Sequence, residues 1–376
     1  MNNPQRILQI GAGNFGKGGL STIVLSFGLN QNPNKIIFDY LVMDKVSDEK
    51  YKIEIENKQG QVYELKTNNK LKRLCLLKKF FKENKYEIIH IHISQCKIST
   101  LIIQFLYKVY GGKKIILHSH STGIDMNKGN MKIALLKHNI LKKILPLMTD
   151  EFLACSKLAG EWLYPEKYLD RVKIINNGID IEKYKFNLEI RNQLKKEMNL
   201  EEKFVLGHIG RFSYSKNHKF LIEIFNEVQK IEKESILLLI GNGELEEKTK
   251  DQVKQLNLEE KVIFLGTTDK VESYLQIMDV FVFPSQFEGL GLVAIEAQTA
   301  ALKVIASDKV PLEAKLSDYL EYFSLNKNSK EWAEEILKYK NSYERKDMTK
   351  EIEKVGYSIK SSAKELEKIY LTMKGS

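Results

Sequence analysis

Short apolar runs alternate with longer amphipathic stretches along the whole sequence, which is the pattern of βαβ units wound around parallel sheets. Strand-like runs occupy residues 7–10, 36–43, 88–93, 114–118, 151–154 and 172–175. A second series occupies 204–209, 236–240, 262–265, 280–283, 304–306 and 322–325, after the turn Asn176-Asn177-Gly178. Each series is enough for a sheet of its own, so the 376 residues divide into two doubly wound α/β domains. The expected boundaries are 1–182 for the first domain, 183–355 for the second and 356–376 for a closing helix. That helix carries Ile359, Ala363, Leu366, Ile369 and Tyr370 at helical spacing.

Composition narrows the function. The longest uncharged run, residues 18–34, contains Ser21, Asn30, Gln31, Asn32 and Pro33, short of the ~18 apolar residues of a membrane-spanning helix. The first residues lack a signal-peptide core, which points to the cytosol. Cys75, Cys96 and Cys155 form no C-x-x-C pair, so buried free thiols are expected in place of disulfides or a zinc knuckle. Charge is uneven: +12 over residues 1–180 and −2 over 181–376. The first half should therefore meet an anionic partner. No helix-turn-helix, RNP or finger signature favours nucleic acid.

Gly11-Ala12-Gly13-Asn14-Phe15-Gly16 follows the first strand, with Lys17-Gly18-Gly19-Leu20 at the mouth of a helix. Glycines let a backbone approach phosphate, and a helix N-terminus offers unpaired N–H groups, so this is a phosphate cradle. By itself the motif suggests an NAD(P)-dependent oxidoreductase. That reading needs an acid about 20 residues on for a ribose, and Asp39 and Asp44 would each require an awkwardly long connection. A tight turn that binds nothing is the plain alternative.

His90-Ile91-His92 and His118-Ser119-His120 each place two imidazoles on one face of a strand. No Asp, Glu or Cys stands beside them, and strand-end histidines are commonly satisfied by hydrogen bonds, so no metal is expected. His118 and His120 end a strand before the loop 119–125, at the sheet edge where open α/β folds bind ligands. Arg211 and Lys216, five residues apart after the run 204–209, can converge on a diphosphate. Two ordinary surface cations are the alternative.

The segment 283–297 pairs two glutamates with a helix start. Residues 289–300 have helical length, so their first N–H groups can receive phosphate oxygens near Glu288. Glu296 lies eight residues on, about 12 Å along a helix axis, a separation that fits opposite ends of a nucleotide sugar. A carboxylate accepts two hydrogen bonds, so Glu288 can grip sugar hydroxyls and Glu296 those of a ribose. A capping acid plus a half-buried helix acid would need no ligand.

Together, Glu288 and Glu296 as E-x7-E, Arg211 and Lys216 as G-R-x4-K, Asn177-Gly178-Ile179-Asp180 and Gly241-Asn242-Gly243 resemble a retaining glycosyltransferase of family GT4. The resemblance spans nearly the whole chain. It implies the GT-B fold, two Rossmann-like domains facing a cleft with a final helix crossing back to the first. Phe287-Glu288-Gly289-Leu290 and Glu296-Ala297-Gln298 look most like bacterial capsular and exopolysaccharide enzymes, which use a nucleotide sugar, such as a UDP-sugar, and a lipid-linked glycan acceptor. Gly291 departs from the family, where many relatives carry proline.

Carried over residue by residue, the resemblance gives catalytic roles to Glu288, His120 or His118, Arg211 and Lys216. Arg211 and Lys216 would neutralise the leaving diphosphate, Glu288 would orient the sugar, and the histidine would reach it near the reacting carbon. Donor binding would fall to Glu296, Gly289, Leu290, Gly291, Gly18, Gly19 and Asn242. No D-x-D pair occurs, so the reaction is expected to need neither metal nor cofactor. Residues 70–85 and 113–143 add many lysines interleaved with apolar residues, which suggests peripheral docking on an anionic membrane at the inner face of the plasma membrane.

Overall fold

All twelve apolar runs form parallel strands in a computed structural model that describes residues 3–15, 19–124, 130–341 and 343–374. Strands buried on both faces need continuous apolar runs, not alternating ones, and that is what Val280–Phe283 or Ser235–Ile240 supplies.

The described residues up to Gly178, together with those from Ile359 onward, make one compact unit, and Ile179–Ser358 make a second. The first holds β1 (Gln5–Ile10), β2 (Ile36–Val42), β3 (Val62–Glu64), β4 (Ile88–Ile93), β5 (Lys114–Ser119), β6 (Glu151–Ala154) and β7 (Val172–Ile174). They line up in the order β3-β2-β1-β4-β5-β6-β7. The second holds β8 (Phe204–Ile209), β9 (Ser235–Ile240), β10 (Val262–Gly266), β11 (Val280–Phe283), β12 (Lys303–Ser307) and β13 (Leu320–Phe323), in the order β10-β9-β8-β11-β12-β13. Strand order reverses between β1 and β4 in one sheet and between β8 and β11 in the other. Those two points are where such sheets leave a crevice at their carboxyl edge.

Strand β3 has no counterpart among the expected runs, because Val62-Tyr63-Glu64 is a short, half-buried edge strand with no apolar run of its own. Strand β13 begins two residues before the expected run, at Leu320. In the second unit the alternation of strand residues builds two cores. Val205, Leu238, Phe281 and Val304 face one side, and Leu206, Leu237, Val282 and Ile305 face the other.

The helix Ile359–Lys374 belongs to the first unit and packs on the helix Gly19–Leu29. Gln31 Nε2 donates to Ala363 O (3.0 Å), Lys35 pairs with Glu367 (2.8 Å), and the Tyr370 hydroxyl lies 2.6 Å from His90 Nδ1. Leu366 and Tyr370 are fully buried. Of the cysteines, Cys96 and Cys155 are buried, but Cys75 is exposed: it sits on the outer face of the helix Lys70–Glu83, whose Leu77, Phe80 and Phe81 turn inward.

Candidate active site

At the reversal point of the second sheet, three loops are laced together by backbone hydrogen bonds. Phe212 N donates to Asn242 O (2.9 Å), Leu245 N to Phe212 O (3.0 Å), and Gln286 N to Ser215 O (2.7 Å). Asn217 Nδ2 adds a bond to Pro284 O (3.1 Å). The close approach explains Gly241-Asn242-Gly243: a Cβ on Gly243 would stand 2.4 Å from Phe212 O, and one on Gly241 2.0 Å from Gly210 O. Asn242 itself is exposed on this loop.

The lacing brings two of the sequence-selected residues into contact. Lys216 Nζ lies 2.6 Å from Glu288 Oε1, with both side chains largely buried. The ammonium also sits over the Phe283 ring, 4.9 Å from its centroid. Arg211 is not part of this pair: its side chain is 63% exposed and its guanidinium bridges to Glu244 at 3.1 Å. A cation and a carboxylate thus stand together at this sheet edge, and Arg211, on the same loop as Lys216, turns toward Glu244 instead.

The helix expected over 289–300 is Leu292–Thr299. It starts three residues late because Gly291 has φ +89°, a left-handed conformation that ends helical geometry on its N-terminal side. Gly289 and Leu290 therefore lie in the turn before the helix, and the Leu290 side chain is buried. Glu296 is one turn inside the helix, where the Tyr184 hydroxyl donates to its Oε1 at 3.0 Å. Burial pushes the Glu296 carboxyl up to about 7, against the opposing effect of the Tyr184 hydrogen bond. Tyr184 had no local signal in the sequence, since its partner is 112 residues away.

In the first unit, the turn after β1 folds directly over the end of β4. Gly11 has φ +97°, and a Cβ there would stand 2.0 Å from His92 O, so only glycine fits. Gly19 opens the helix Gly19–Leu29 and is exposed. Gly16 and Gly18 lie outside the described residues. The ribose acid of the oxidoreductase reading is missing from this site. Asp39 sits within β2, fully buried and committed to Arg6 (2.5 Å) and the Tyr86 hydroxyl (2.8 Å), and Asp44 is exposed and bonds the N–H of Lys45.

The four histidines gather on one face of this sheet. His90 stacks on His92 and His118 lies tilted against His120, with ring centroids 4.0 and 4.1 Å apart. His90 Nε2 is 3.2 Å from His118 Nδ1, and His92 Nδ1 is 2.9 Å from His120 Nε2. His92 Nε2 reaches Gln9 Oε1 at 2.8 Å. Burial drives all four imidazoles toward the neutral form, His120 down to about 3 and the other three well below their usual value. His90, His92 and His118 each offer a nitrogen within 4.8 Å of the others. Both nitrogens of His90 and of His92 are already hydrogen-bonded, so a cation would have to displace one bond on each ring.

The family description "Glycosyl transferases group 1" matches residues 189–355. The chain carries a glycosyltransferase group 1 domain. It is 27% identical over 350 residues to "Putative glycosyltransferase EpsF" of Bacillus subtilis (strain 168), covering 90% of this chain and 88% of that one. It is 28% identical over 245 residues to the Escherichia coli "UDP-Gal:alpha-D-GlcNAc-diphosphoundecaprenol alpha-1,3-galactosyltransferase", covering 63% of this chain and 62% of the relative. Its fold is similar to the crystal structure of Anabaena HepE in complex with UDP and glucose, with a TM-score of 0.71, 16% identity, and coverage of 96% and 94%. The two parallel-sheet units are those of the GT-B fold.

Proposed function

We propose that this protein is a retaining glycosyltransferase of the GT4 type. It moves a sugar from a UDP-sugar to a hydroxyl of a lipid-linked glycan in bacterial surface-polysaccharide synthesis. The observation that carries this reading is the Lys216–Glu288 pair at the reversal point of the second sheet, inside the glycosyltransferase group 1 domain. The Escherichia coli relative, whose name specifies a UDP-sugar and an undecaprenol diphosphate acceptor, supports the choice of substrates.

In this reading the bond from the anomeric carbon to the diphosphate oxygen breaks while the acceptor oxygen bonds to that carbon on the same face. The departing phosphate oxygen takes the acceptor's proton. Lys216, with Arg211 and the N–H groups near Gly289, Leu290 and Gly291, stabilises the charge that builds on the diphosphate. Glu288 orients the transferred sugar, Glu296 accepts the ribose hydroxyls, and Asn242, Gly18 and Gly19 contribute to donor binding. His120 supplies a neutral imidazole to a sugar hydroxyl. Fixed cations do the work of a metal, and no cofactor takes part.

The acceptor's lipid implies work at a membrane surface. No helix among the described residues is long and apolar enough to cross a membrane. The helix Lys70–Glu83 turns most of its apolar residues into the core, so its lysines are a solvated face, as an ordinary amphipathic helix would have them. The helix Met131–Ile144 differs: Ile133, Leu136 and Ile140 are exposed beside Lys132, Lys137 and Lys143. Its neighbour Ile98–Val109 exposes Ile98, Phe105 and Val109. Apolar residues that enter the headgroup region and lysines that meet anionic lipid support reversible docking there.

The test is transfer from a UDP-sugar to a polyprenyl-diphosphate glycan in excess EDTA, with the product's anomeric configuration read by NMR. Retained configuration and full activity are expected. Inversion, or a loss restored by manganese, would overturn the corresponding part of the reading.

A further inference from the structure

The histidine cluster holds a second layer of information, which builds on the reading of His120 as a sugar contact. A neutral imidazole has one N–H and one lone-pair nitrogen, so each hydrogen bond it makes fixes the role of its other nitrogen. Gln9 is fully buried at the end of β1, next to β4 in the sheet. Its Oε1 can only accept, so the 2.8 Å contact to His92 requires the proton on His92 Nε2. His92 Nδ1 is then an acceptor. The 2.9 Å contact between His92 Nδ1 and His120 Nε2 in turn requires the proton on His120 Nε2. His120 Nδ1 is left with a lone pair, and it is buried without a hydrogen-bond partner.

We infer that Gln9 and His92 are positioning residues that set the tautomer of His120, so that His120 Nδ1 is a hydrogen-bond acceptor reserved for a substrate hydroxyl. Two independent features agree. The chain of two contacts has one consistent direction, from an amide oxygen that cannot donate to a nitrogen that has nothing to accept from. The atom at its end carries the unmet hydrogen bond that a sugar O–H would satisfy, whereas a phosphate or carbonyl oxygen would not. Burial of all the rings keeps them neutral, the condition under which a tautomer can be set at all. Gln9 stands two residues before Gly11, whose own Cβ space is filled by His92 O, so the turn and the relay are built on the same strand end.

The test reads tautomers directly. Histidine labelled with 15N gives two-bond 1H–15N correlations for the seven imidazoles of the full chain, and His92→Asn and His120→Asn assign the two signals. The wild-type spectrum should show both rings as the Nε2–H tautomer. In Gln9→Met, of similar size but with no acceptor, both should lose that single form and shift toward averaged values, and Gln9→Glu should restore it. A wild-type His120 protonated on Nδ1, or a Gln9→Met spectrum with both rings unchanged, would overturn the inference. If Gln9→Met fails to fold, the wild-type spectrum alone decides. The result is independent of sugar transfer, so failure of the glycosyltransferase reading and failure of the relay are distinguishable.

Discussion

Lys216 Nζ and Glu288 Oε1 meet at 2.6 Å although 72 residues of sequence separate them, and neither side chain is free to swing into solvent. The pair sets a division of labour that mutation can read. Lys216→Ala should cost at least about tenfold in kcat, because it removes the cation that faces the developing diphosphate charge. Arg211→Ala should cost a similar factor with little change in Tm, since its bridge to Glu244 is on the surface. Glu288→Gln should lower turnover far more than nucleotide affinity. Wild-type activity in Lys216→Ala, measured as nucleotide release, would refute the charge role.

Glu296 predicts a pH dependence. Its carboxyl is raised from 4.5 to about 7 in the folded protein, so the neutral form is the one that burial favours. The stability this contributes is complete below about 4.5 and is lost as pH rises through about 7. Ribose hydroxyls need the ionised form as acceptor. Donor affinity should therefore improve as pH rises through about 7, and Glu296→Gln should weaken binding and flatten the profile. Tyr184→Phe removes a bond that favours ionisation, so the midpoint should move to higher pH. Calorimetric titration of UDP across this range checks all three.

Two glycines make stability predictions. Gly11→Ala would drive a Cβ to within 2.0 Å of His92 O in a backbone at φ +97°. A loss of at least about 2 kcal/mol is expected, visible as a Tm lower by several degrees. Gly291→Pro demands φ near −65° where this chain has +89°. Thermal melts should show it destabilised, and an unchanged Tm would mean that the turn before the helix Leu292–Thr299 readily rearranges.

The docking proposal rests on the exposed apolar and basic face of the helix Met131–Ile144. Leu136→Glu should reduce co-sedimentation with anionic vesicles at low salt, as should Lys137→Glu, while Leu76→Glu on the helix Lys70–Glu83 should act through stability instead. Each lysine near the surface contributes about 1 kcal/mol at most, so attachment should weaken in high salt. Equal weak binding of wild-type protein to anionic and neutral vesicles would remove the docking proposal.

The sheets were legible because parallel strands are written as continuous apolar runs, and twelve such runs stand out. Strand β3 was not, since three half-buried edge residues leave no run to see. At the candidate site, residue type and spacing single out Lys216 and Glu288, which the fold brings into contact, while Arg211 turns to Glu244. The helix start was misplaced because a left-handed Gly291 cannot be told from an ordinary glycine in a sequence. Gln9, Tyr184 and Tyr370 were missed for a different reason. Each acts on a residue that is 83, 112 or 280 positions away, and such pairs exist only after folding.

The most direct test of the central claim is nucleotide release from a panel of nucleotide sugars by the wild-type chain, run beside Lys216→Ala and Glu288→Gln. Release of UDP from one or more UDP-sugars, slowed at least about tenfold in both variants, is the predicted result. No release from any nucleotide sugar, or release unaffected by either substitution, would contradict it.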